Sequence, residues 1–201
     1  KEYMTKHQRI IFNGNGYSDE WVAEAERRGL PNIKSMIEAV DTLTTEKSVN
    51  LFEKFGIFTK TELESRAEVL YETYAKTINI EALTMIDMAS KQYVPAIVKY
   101  TKSLADTVVA VKDAGADAQV QTEILKAVNG KLGEVKSALA KLEEAEAKAA
   151  AMDNVKDQAF FCKDVVKTAM DELRAPVDEV EMMVDKKAWP VPSYADLMFE
   201  V

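Results

Sequence analysis

Few residues in this chain have types and spacing suited to chemistry. Phe12 to Trp21 reads FNGNGYSDEW, two glycines ahead of a helical pattern, the arrangement in which backbone N–H groups cradle a phosphate. The same residues argue against that use. Asp19 and Glu20 place negative charge at the positive end of the helix dipole, Ser18 is a natural N-cap, and the Lys-Ser or Lys-Thr ending of a phosphate loop is missing. Asn13-Gly14-Asn15-Gly16 therefore reads as a tight turn whose residues tolerate positive φ, leading into a capped helix.

The remaining candidates are weaker. A di-metal bundle needs Glu-x-x-His pairs on facing helices, and the single histidine, His7, has Met4 three residues before it. The single cysteine, Cys162, follows Phe160 and Phe161; with no histidine to activate it, it reads as a buried structural thiol. Glu143 with Glu144 and Glu179 with Glu181 sit among lysines at helical surface positions, the pattern of a solvated face. Met85 with Met88 and Met182 with Met183 have the adaptability of a binding groove, although gap filling in a core is the commoner use. Nothing assembles a nucleophile, a base and an oxyanion site. The expectation is that no catalytic, cofactor-binding or metal-binding residue lies in this chain.

The elements that position these residues read almost entirely as helix. Ser18 to Arg28 is closed by Gly29-Leu30-Pro31. A second helix carries Ile33, Met36, Ile37, Val40 and Leu43 on one stripe, and a third carries Val49, Phe52 and Phe55 before Gly56. Thr59 and Glu62 form a capping box, with Phe58 and Leu63 placed as its hydrophobic staple. From there Leu63, Ala67, Leu70, Tyr74, Ile78, Ala82, Met85, Ala89, Ile97, Leu104, Val108 and Val111 continue one long helical stripe. Its single interruption, Pro95, removes a hydrogen bond to the Lys91 carbonyl and predicts a kink.

DAGAD, Asp113 to Asp117, is the next turn. Beyond it Leu125, Leu132 and Leu139 fall seven apart, as do Val128, Val135, Leu142 and Ala149, a heptad pattern packed along a neighbour. Gly130 and Gly133 inside that helix predict either close backbone approach or a flexible hairpin. Asp153-Asn154 starts a last helix, which Pro176 kinks or restarts. The tail WPVPSYADLMFEV passes from an extended proline segment into a short turn capped by Ser193, with Asp196 three residues on. So apolar a tail must dock, on its own bundle or on a neighbouring subunit, with Trp189, Tyr194, Leu197 and Phe199 as the anchors.

The expected fold is all-α: an antiparallel bundle of long helices with a projecting hairpin, a small N-terminal helical cluster and an extended C-terminal arm. The boundaries are 1–58 for the cluster, 59–188 for the bundle with its coiled-coil-like hairpin at about 104–150, and 189–201 for the arm. A chain of 201 residues buries roughly 70% of its extended surface and needs no staples. The formal charge of −8 and the lack of a basic cluster argue against nucleic acid. No apolar run approaches the roughly 20 residues that span a bilayer, and one cysteine suits a reducing compartment, so a cytoplasmic location is expected. The chain begins at Lys1 rather than Met, as a fragment of a longer protein would.

Three blocks carry a resemblance: FNGNGYSDEWVAEAERRGLPN, LFEKFGIFTKTELESRAEVLYETYAKTINIEALTMIDMASKQY and LRAPVDEVEMMVDKKAWPVPSYADLMFEV. Together they resemble the C-terminal region of type III glutamine synthetase, the large bacterial class of that enzyme. The resemblance runs end to end and is weakest between about Leu104 and Phe160. It implies a parent that ligates ammonia to glutamate through a γ-glutamyl phosphate, with ATP and Mg²⁺ or Mn²⁺. The family's metal, ammonia and phosphate residues lie upstream of the matching part, so the resemblance assigns none of them to a position here. It implies a catalytically silent C-terminal domain whose partners are the catalytic domain of the same chain and the neighbouring subunits of a homo-oligomer, a dodecamer. The rival reading is an independent helical adaptor working through the heptad seam and the aromatic tail. The missing initiator methionine and the three blocks favour the first.

Overall fold

The computed structural model describes residues 1–199, apart from the side chains of Tyr194 and Ala195. The fold is all-α, with no strand among the described residues. The chain divides into two compact units, Lys1–Ala67 and Glu68–Val201.

In the first unit, α1 (Glu2–Lys6), a 3₁₀ turn (Gln8–Ile10) and α2 (Asp19–Arg27) precede α3 (Met36–Asp41) and α4 (Glu46–Lys54). The caps are those that the residue types dictate. Ser18, Ser35 and Thr45 each accept a backbone N–H of the following first turn. Gly29 and Gly56 close α2 and α4 at φ 67° and 64°, the left-handed conformation that only glycine adopts without strain.

Two sequence expectations change here. Gly14 and Gly16 do not take positive φ; instead a Cβ on Gly14 would lie 2.6 Å from the Phe12 ring. Phe12 stacks on Trp21 with centroids 4.4 Å apart, and Arg28 covers Trp21 at 5.5 Å. The turn is thus a seat for an aromatic stack. The apolar stripes are also narrower than expected: Ile37, Val40 and Val49 are buried, whereas Ile33, Met36 and Phe55 are exposed. The α3 helix starts at Met36, where Ser35 caps it, so Ile33 lies outside the helical face.

The long helix α5 (Lys60–Met88) begins at the capping box. The Thr59 N–H donates to Glu62 Oε2 at 2.8 Å and the Glu62 N–H donates to Thr59 Oγ1 at 3.4 Å. Leu63 is buried beside it. Further along, Tyr71 and Ala75 are buried while the expected Leu70 and Tyr74 are half-buried. Tyr71 meets Phe160 at 6.4 Å.

At Pro95 the expected kink takes a specific form. Ala89–Tyr93 is a π-helical turn in which the Val94 N–H donates to the Ala89 carbonyl, one residue further back than in an α-helix. This wider turn separates α5 from α6 (Val94–Asp113). A second π-turn, Cys162–Val166, joins α8 (Val155–Phe161) to α9 (Lys167–Glu181); no proline or glycine marks it in the sequence. Pro176 does not restart the helix, because α9 runs through it with the proline ring buried.

In the second unit α7 (Gln119–Ala150) packs against α6 and α9. Its buried face is Val128, Val135, Ala138, Leu139, Leu142, Ala145 and Ala149, the heptad seam. Asn79 Nδ2 donates to Glu146 Oε1 at 2.8 Å, tying α5 to α7. The expectation of close approach at Gly130 and Gly133 fails: a Cβ on either meets nothing within 4 Å. The last element, α10 (Tyr194–Phe199), follows the proline segment.

Candidate functional site

A concavity lies within the second unit, a groove of about 1250 Å³ between α5, the first π-turn, α9 and the C-terminal arm. Glu81, Met85 and Met88 recur along α5 at i, i+4 and i+7, one helical face. From α9 the wall is Met170, Leu173, Arg174, Val177, Asp178 and Glu181, again one face. The apolar floor and the carboxylates come from the same two faces because each helix places a charged residue at the edge of its stripe.

The arm closes one side. Asp185 begins a tight turn, accepting the Lys187 N–H on its side chain at 2.7 Å and the Ala188 and Trp189 N–H groups on its carbonyl. That turn delivers Trp189 onto Tyr93, ring centroids 5.1 Å apart and nearly parallel. Trp189 is 9% exposed, and its buried Nε1 has no acceptor among the described residues. Burial, with Glu181 and Asp178 nearby, pushes the Tyr93 hydroxyl up. Beyond the prolines a second capping box starts α10: the Ser193 N–H and Oγ both donate to Asp196 Oδ2 at 2.7 Å, and the Asp196 N–H donates back to Ser193 Oγ. Lys186 also donates to Asp196. These partners, Lys186 first and then Ser193, hold the Asp196 carboxyl down at about 2.

The sequence-predicted anchors take different positions. Trp189 is buried in the groove wall. Leu197 lines the groove yet is 69% exposed, and Phe199 is 76% exposed. The side chain of Tyr194 lies outside the described residues. Of the methionine pairs, Met85 and Met88 line the groove together with Met182, joined by Met170. The acidic spacing Asp171, Asp178 and Glu181 on α9 was the sequence signal that could have located this wall.

The groove is lined by both apolar and charged side chains. Cys162 is buried, which pushes its thiol up with help from Glu146, the opposite of an activated nucleophile. No group of three potential metal ligands occurs among the described residues. None of their helices is long and apolar enough to cross a membrane.

Capped helix termini, a packed heptad seam and a groove with a charged rim define an all-α domain. The family follows from comparison: residues 1–112 match the family model described as the glutamine synthetase C-terminal domain, so the chain belongs to that family. The matched part ends close to where the sequence resemblance weakens. A glutamine synthetase of Butyrivibrio fibrisolvens is 38% identical over 203 residues, covering 100% of this chain and 29% of the relative. The type-3 glutamine synthetase of Dictyostelium discoideum is 34% identical, covering 99% of this chain and 28% of the relative. A glutamine synthetase of Bacteroides fragilis (strain YCH46) is 31% identical with the same two coverages, 99% and 28%. The chain is therefore the C-terminal region of a type III glutamine synthetase, and it spans under a third of the length of these relatives.

Proposed function

We propose that this region is a structural and assembly domain of an ATP-dependent glutamate–ammonia ligase. The single observation that carries this reading is the alignment of essentially the whole chain with less than a third of each glutamine synthetase relative. The parent makes glutamine from glutamate and ammonia through an acyl phosphate, with ATP and Mg²⁺ or Mn²⁺ held by residues outside this chain. Phosphoryl transfer needs clustered carboxylates for metal and converging cations for phosphate; no group of three potential metal ligands occurs among the described residues.

The domain's own contribution is surface. Tyr3, Tyr17, Phe55 and Ile57 in the first unit are 81%, 99%, 65% and 56% exposed. Large apolar side chains left open in this number mark an interface, here with the catalytic part of the same chain. Leu197, Met198 and Phe199 are the corresponding surface of the arm, for a neighbouring subunit of a homo-oligomer, a dodecamer in this reading. The location is cytoplasmic. The test is to express the complete subunit with and without this region, and the region alone. Loss of assembly on deletion, with no glutamine formed by the isolated chain given ATP, Mg²⁺, glutamate and ammonia, is expected. Glutamine synthesis by the isolated chain, or an assembled and fully active enzyme without it, overturns the reading.

A further inference from the structure

We infer that Asn13 is a site of spontaneous covalent modification: the fold leaves it open to ring closure with the Gly14 nitrogen, and its conversion unseats the Phe12–Trp21 stack. The chain has three Asn-Gly pairs, at 13–14, 15–16 and 129–130. Asparagine is thermolabile, and glycine lacks the Cβ that hinders attack by its own nitrogen on the preceding side chain. All three asparagines are exposed, so access to water does not rank them. Backbone conformation and hydrogen bonding do.

Asn129 lies inside α7. There the Gly130 N–H donates to the carbonyl four residues back, and a helical ψ is not the one that the closed ring requires. Asn15 lies in a loop, but its side chain is pinned. Its Oδ1 accepts the Tyr17 N–H at 3.0 Å, and its carbonyl accepts the Ser18 N–H at 3.2 Å and Oγ at 2.9 Å. This Asx turn fixes the side-chain rotation that the attack must change. Asn13 has neither restraint: among the described residues its side chain makes no hydrogen bond and the Gly14 N–H has no acceptor. Gly14 itself is required by packing, since a Cβ there would lie 2.6 Å from the Phe12 ring. The residue that seats the aromatic ring is therefore the one that exposes its neighbour to attack.

The Gly14 nitrogen, giving its proton to solvent, bonds to Asn13 Cγ; the Cγ–Nδ2 bond breaks and Nδ2 leaves as ammonia, taking up a proton. Water then opens the succinimide. Cleavage of the new Cγ–N bond gives aspartate, and cleavage of the original backbone C–N bond gives isoaspartate, with the chain running through Cβ and Cγ. The net change is amide plus water to carboxylic acid plus ammonia, with no oxidant or reductant. Isoaspartate inserts a methylene between Phe12 and Gly14. Phe12 is stacked on Trp21 at 4.4 Å, and Arg28, which covers Trp21, holds the Ile11 carbonyl at 2.8 Å. The longer backbone cannot keep Ile11, Phe12 and Gly14 all in place, and the Phe12 ring moves off Trp21.

The test is to hold the complete subunit folded for days at mildly alkaline pH and map it by tryptic mass spectrometry. Heavy-oxygen water during digestion marks any conversion that happens at that stage. Peptide 10–27 carries Asn13 and Asn15, which fragmentation separates, and peptide 127–131 carries Asn129. Asn13 should convert severalfold faster than Asn15, with Asn129 unchanged, and the three rates should converge in urea. Tryptophan fluorescence should drift as Asn13 converts, and Asn13→Gln should abolish the drift. Asn15 or Asn129 keeping pace with Asn13 in the folded protein overturns the inference. So does an Asn13 that converts in urea alone, or a drift that persists in Asn13→Gln. None of these outcomes depends on the ligase activity of the parent.

Discussion

Replacing Trp189 with alanine should destabilise the second unit by about 3 kcal/mol, within the range of about 3–5 for buried Phe or Trp to Ala. Trp189 is 9% exposed, and a tryptophan buries about 150–250 Å². At about 25 cal/mol per Å² that area corresponds to about 4–6 kcal/mol, an upper bound that a compact unfolded chain lowers by roughly 10–40%. Losing the Tyr93 stack adds about 1 kcal/mol. Removing an indole N–H that has no acceptor among the described residues returns about 1–3 kcal/mol. Trp189→Phe separates the two contributions: it keeps most of the ring contact and deletes the orphan donor, so it should be close to neutral. Urea unfolding followed by circular dichroism measures both variants. Trp21, within Lys1–Ala67, provides an internal fluorescence reference. An unchanged midpoint for the alanine variant, or a phenylalanine variant as unstable as the alanine one, refutes this reasoning.

Gly130→Ala and Gly133→Ala, where an added Cβ meets only open space inside α7, should each stabilise by about 1 kcal/mol, read as a higher thermal midpoint. The arm should respond to acid. Asp196 is held at about 2 against an ordinary 3.8, so its contribution is complete above pH 3.8 and is lost as the pH falls toward 2; Trp189 fluorescence should change in that window, and Asp196→Asn should abolish the change.

Much of the fold was legible because local chemistry decides it. The caps at Ser18, Thr59 and Ser193 are hydrogen bonds between residues three apart, as printed in the sequence and found in the structure. The α7 seam follows from heptad spacing: Val128, Val135, Leu139, Leu142 and Ala149 are buried, while Leu125 and Leu132 of the same pattern, toward the start of α7, are half-buried. The three sequence blocks carried the family, which the match over residues 1–112 shows.

What only tertiary structure decided involves residues distant in the chain or backbone choices with no residue signature. The π-turn at Cys162–Val166 has no proline or glycine to announce it, since a π-turn is chosen by how the flanking helices pack. Tyr71 rather than Tyr74 is the more buried tyrosine of α5. Periodicity fixes a face only to within a fraction of a turn, and the neighbour, here Phe160, fixes the rest. Gly14 is small because a phenylalanine ring lies against it. The groove needed two helices eighty residues apart to place their methionines and carboxylates on facing walls, with Trp189 closing the end. Sequence specifies each stripe, and packing decides which stripes meet.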